Sequence, residues 1–203
     1  MTDESLVISS QPLSREERES DSTIVFGFWL YLMTDFVLFA ALFATYAVLR
    51  DGTFGGPSGR DIFSMPYVLI ETIILLSSSF TSGLAVLCAQ AGSTRGVITS
   101  LVATLALGAT FVAMEGSEFA HLVAEGFGPS RSGFLSSYFT LVGTHGAHVT
   151  IGLLWIVALL IVIARKGLSR GTMRKLALFS MFWHFLDIVW IFIFTIVYLM
   201  GIL

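Results

Sequence analysis

The chain has 203 residues, of which 55% are hydrophobic and only 12% charged, about half the share found in a soluble domain. With a mean hydropathy of +0.85, this composition excludes an ordinary soluble globule, and a net charge of -3 gives no footing for nucleic acid. Cys88 is the only cysteine, which excludes an internal disulfide and a Cys-x-x-Cys metal site.

Residues 1–22 are polar and mostly acidic, with Asp3, Glu4, Glu16, Glu17, Glu19 and Asp21 against Arg15 and Arg18. A secretory signal would place a basic stretch before a short apolar one. The segment therefore reads as a polar tail. Beyond it, residues 23–203 read as a single transmembrane domain. Crossing about 30 Å of hydrocarbon takes roughly 20 apolar residues in a helix. Five runs qualify: 24–49, 66–91, 97–123, 134–164 and 176–200. They are separated by GTFGGPSG (52–59), AGS (91–93), GFGPSRSG (126–133) and the basic turn RKGLSRGTMRK (165–175). The runs are too long for barrel strands, and lipid tolerates only helices or closed barrels. The expected fold is an all-α bundle of five membrane helices.

Basic residues set the expected orientation. The side shared by the N-terminus and the second and fourth loops holds Arg15, Arg18, Arg95, Arg165, Lys166, Arg170, Arg174 and Lys175. The other side holds Arg50, Arg60 and Arg131. The positive-inside rule predicts a cytoplasmic N-terminus, hence a cytoplasmic tail, and a C-terminus outside.

Ionisable residues inside spans are costly and usually face the protein interior. This chain has nine in or next to its spans: Asp35, Glu71, Glu115, Glu118, His121, His145, His148, His184 and Asp187. A rise of 1.5 Å per residue sorts them by depth. Asp35, His184 and Asp187 fall roughly 13–18 Å from the cytoplasmic ends of their spans. Glu71, Glu115, His145 and His148 fall roughly 25–30 Å in, with Glu118 and His121 a little beyond. Residues three apart share a helix face, which pairs His184 with Asp187, Glu118 with His121, and His145 with His148. Gly143, Gly146, Ala147 and Gly152, with Ala40 and Ala44 on the first span, are small enough to admit close helix approach.

Three readings fit these groups. Glu118-x-x-His121 is the ligand unit of carboxylate di-metal bundles, and His145, His148, Glu71 and Glu115 could complete a set, but such sites use two Glu-x-x-His units. Buried carboxylates and histidines also mark proton paths, although no continuous row crosses the membrane here. The third reading, favoured by spacing, is that the groups pair and hold the helices in register. No phosphate loop, nucleophile elbow or His-Glu-x-x-His motif is present.

GTHGAHVTIG (143–152), FWHFLDIVWIFIF (182–194), FGFWLYLMTDFVLFAALFATYA (26–47) and Gly116-Ser117-Glu118 together resemble subunit III of haem-copper respiratory oxidases. The likeness runs in order from about residue 23 to the end, and is greatest to the short five-helix form of bacterial bo-type ubiquinol oxidases. The longer mitochondrial type has two more N-terminal helices. There a carbodiimide-reactive glutamate stands where this chain has Asp35, one methylene shorter.

The resemblance implies a multi-pass protein of the bacterial cytoplasmic membrane, in a complex that oxidises quinol, reduces oxygen to water and pumps protons. Subunit III would hold no haem, copper, quinone or catalytic site of its own; the haems and copper belong to subunit I. Four histidines are fewer than the six that subunit I uses for them. The implied partners are subunit I directly, subunit II, a small subunit IV, and phospholipids in a cleft between the first two helices and the other three. On this reading His184 and Asp187 form a clasp that meets the first helix near Asp35, with Trp183 and Trp190 filling space around it. A second contact is expected between Glu118 and His148.

Overall fold

The computed structural model describes residues 15–202. Five helices among them are long and apolar enough to cross a membrane: α1 (Arg15–Leu49), α2 (Met65–Gln90), α3 (Thr94–Ala124), α4 (Gly133–Lys166) and α5 (Arg170–Ile193). The last continues through a π-helical turn, Phe194–Leu199, to Ile202. The tail expected over 1–22 falls partly outside the described residues, and from Arg15 the chain is already helical.

Local chemistry explains the helix ends. Serines 93, 132 and 169 cap α3, α4 and α5, each side-chain oxygen accepting a backbone N–H of the first turn. Three helices end on a glycine of positive φ: α4 on Gly167 (φ 65°), and two others with a paired-bond cap. Gly92 (φ 72°) closes α2 and Gly126 (φ 84°) closes α3. In each case paired backbone bonds return to the last helical turn, Ser93 N–H to the Cys88 carbonyl at 2.9 Å and Phe127 N–H to Leu122 at 2.8 Å. The basic segment expected to be a turn over 165–175 is mostly helical, because Ser169 caps α5 at Arg170. Only 167–169 lies outside helix.

Helices α2 to α5 form a closed ring. α2 lies along α3, α3 on α4, α4 on α5, and α5 returns to α2. α1 stays outside the ring and leans on α4 and, less, on α5. Among its described side chains it buries only a narrow stripe, Leu32, Asp35, Phe39 and Tyr46. Ala40 and Ala44 point away from the bundle. The first two helices are therefore not a unit set against the other three. α1 and α2 each join the α4–α5 side separately.

Candidate functional site: the buried polar contacts

Four residues of α5 at helical spacing, Trp183, His184, Asp187 and Trp190, face α2. The Trp183 indole N–H donates to Ser78 Oγ at 3.1 Å. His184 Nδ1 shares a hydrogen bond with Ser79 Oγ at 2.5 Å and lies 3.9 Å from Asp187 Oδ2. One turn on, the Trp190 N–H donates to Thr72 Oγ1 at 3.0 Å. These contacts fasten α5 to α2. The clasp at His184 and Asp187 exists, but it closes on Ser79 of α2, not on Asp35 of α1. Both tryptophans are buried and satisfy their N–H groups there, so they bridge helices as well as filling space.

Trp183 fits because two glycines admit it. A Cβ at Gly152 of α4 would lie 2.6 Å from its ring, and one at Gly108 of α3 would lie 3.0 Å from it. Trp190 stacks on His145 of α4 (ring centroids 5.2 Å, 29°) and meets the edge of Phe111 of α3 at 4.7 Å. Between them the two indoles touch every helix of the ring.

Asp35 finds its partner on α4. His148 Nδ1–H donates to the Thr144 carbonyl at 2.8 Å, which turns Nε2 toward Asp35 Oδ2 at 3.8 Å. The contact expected between Glu118 and His148 is not formed. Glu118 instead accepts from the Tyr138 hydroxyl at 3.2 Å, and Tyr138 shares a hydrogen bond with Tyr198 at 3.1 Å. Tyr198 reaches this position from the π-helical turn, a distortion often found at functional points of helices.

Glu71 and Glu115 are buried and, with Glu118, lie within electrostatic reach of one another. The Glu115 carboxylate sits against Gly146, where a Cβ would come within 2.6 Å of it. Gly143 faces the Phe119 ring, while Ala147 is exposed. His121, on the same helix face as Glu118, is 73% exposed and lies 3.4 Å from Glu125. Among the described residues, no three His, Cys, Asp or Glu side chains are placed to hold a metal ion.

Sequence reasoning missed Tyr138, Tyr198 and the hydroxyls on α2. A signal for the last was available: Ser77, Ser78, Ser79, Thr81 and Ser82 crowd the middle of one span. The tyrosines gave none, because one tyrosine in an apolar run looks like packing.

Asp187→Leu is expected to leave His184 and Ser79 without their acid partner, at a cost of about 1–3 kcal/mol. The protein should then be recovered from membranes in lower yield, with Asp187→Asn milder, as quantified immunoblots check. A yield of Asp187→Leu equal to that of the parent would contradict a structural role.

The ring, the outlying α1 and the polar contacts between helices define a polytopic helical membrane protein in which side-chain hydrogen bonds join α5 to α2 and α4 to α3, while Glu71 and His145 are buried with no hydrogen-bond partner among the described residues. Its family follows from comparison. The family model for cytochrome c oxidase subunit III matches residues 13–202, and this chain belongs to that family. It is 61% identical over 183 residues to cytochrome bo(3) ubiquinol oxidase subunit 3 of Pseudomonas aeruginosa, covering 90% of this chain and 88% of that protein. It is 47% identical over 193 residues to quinol oxidase subunit 3 of Bacillus subtilis, covering 95% and 94%. A cytochrome c oxidase subunit 3 of a Bacillus species is also 47% identical, over 86% of this chain and 84% of that protein.

Proposed function

We propose that this chain is the non-catalytic subunit III of a proton-pumping terminal oxidase that takes electrons from ubiquinol and reduces oxygen to water. The observation that carries this reading is the 61% identity, over nine-tenths of the chain, to a ubiquinol oxidase subunit. The buried contacts agree with it: they tie helix to helix, as a subunit supporting chemistry in its neighbour requires. The haems and copper reside in subunit I, the direct partner, with subunit II and a small subunit IV in the same complex. Phospholipids bind at the helix surfaces. The chain sits in the bacterial cytoplasmic membrane, and its excess of arginine and lysine on one side supports a cytoplasmic N-terminus. The cytochrome c oxidase relative favours a second reading of the donor, cytochrome c in place of ubiquinol.

Affinity purification of the tagged chain in mild detergent separates these readings. Haem bands and copper should accompany it, with oxygen uptake driven by ubiquinol and not by reduced cytochrome c. Uptake driven by cytochrome c would establish the second reading. A lone colourless chain would sink both.

A further inference from the structure

We propose that the groove between α2 and α5 is the seat of a transmembrane helix from a neighbouring oxidase subunit, which presents a hydrogen-bonding side chain to His184. The inference rests on the proposed function and adds the surface through which the chain docks. The groove measures about 490 Å³ and is lined by Ser79, Phe80, Gly83, Leu87, Ser180 and His184.

Three observations give the occupant its chemistry. The His184 side chain is 48% exposed, although it bonds Ser79 near the middle of α2, about 17 Å from the Gln90 end. Its Nδ1 is engaged inside the protein, and its Nε2 faces Gly83 and the groove. Acyl chains offer that nitrogen no partner at this depth, and a polar group left bare in hydrocarbon costs several kcal/mol. Lipid head groups lie too far out to serve it.

Backbone access comes second. Ser79 and Gly83 stand four residues apart on one face of α2, the small-residue spacing that lets helices approach closely. A Cβ at Gly83 would meet only the His184 ring, at 4.0 Å. Third, Phe80 and Leu87 flank this floor with exposed apolar side chains, against which the occupant's apolar face can pack. The polar demand at His184 is what separates a protein helix from lipid here.

The test uses the whole complex in its native membrane. A photo-crosslinking amino acid is placed at Phe80, and as a control at Leu154, an exposed position on α4. The expected result is an adduct with another oxidase subunit from position 80 and none from 154. Adducts with lipid alone, or equal labelling from both positions, would overturn the proposal. Gly83→Leu, which fills the groove against the His184 ring, should lower retention of the subunit in the purified complex roughly tenfold, with membrane insertion unchanged. Gly83→Ala should be retained as the parent is. Normal retention of Gly83→Leu would also overturn the proposal. If the unsubstituted chain brought down no haem-bearing partner, the proposed function itself would have failed, a result distinct from a groove that binds only lipid.

Discussion

Replacing Trp190 with alanine should remove the subunit from the detergent-purified complex. The side chain is fully buried and joins α5 to α2 through Thr72, to α4 through His145 and to α3 through Phe111. Emptying such a site costs about 3–5 kcal/mol, because the lost contacts and the cavity add. His145 also loses the ring on which it stacks. Trp190→Phe keeps most of the volume and gives up the hydrogen bond to Thr72, about 1 kcal/mol, and should remain assembled. Subunit retention after graded heating, measured on both variants, gives the ordering. Equal behaviour of Ala and Phe would mean that the hydrogen bond outweighs packing at this centre.

Gly152→Val is the second large effect, with the opposite physical cause. Even the first added carbon would lie 2.6 Å from the Trp183 ring. Trp183 cannot slide away, because Gly108 closes on its far side and its N–H is held by Ser78. Overpacking of a filled core costs about 1–3 kcal/mol, and here it would also strain the α5–α2 hydrogen bond. The expected outcome is a thermolabile subunit. Pairing the substitution with Trp183→Leu should recover part of the loss. A Gly152→Val protein as stable as its parent, or no recovery in the pair, would argue against a tight three-helix contact.

The membrane helices were legible because hydrocarbon allows few alternatives: a long apolar run between breakers has to be a helix. The turn between α2 and α3 was legible from Gly92 and Ser93. Partnering was less so. Spacing put His184 and Asp187 on one face, but no periodicity says which neighbour that face meets, and it meets α2. Depth counting placed His148 above Asp35, whereas the two are paired. α4 has 34 residues, about 50 Å of helix against about 30 Å of hydrocarbon. A count begun at its overhanging end overshoots. Tyr198 could not be placed from sequence, since a π-helical turn resets the register of everything after it.

The outlying position of α1 has a consequence for biogenesis. The first helix leaves the ribosome with Asp35 aboard, and its partner His148 follows only about 110 residues later, roughly 5–20 s at ordinary synthesis rates. During that wait an aspartate sits in the bilayer region with only Tyr31 of its own helix beside it. The ring helices it will lean on do not yet exist. The nascent subunit is therefore most exposed to misinsertion and quality control before its fourth helix arrives.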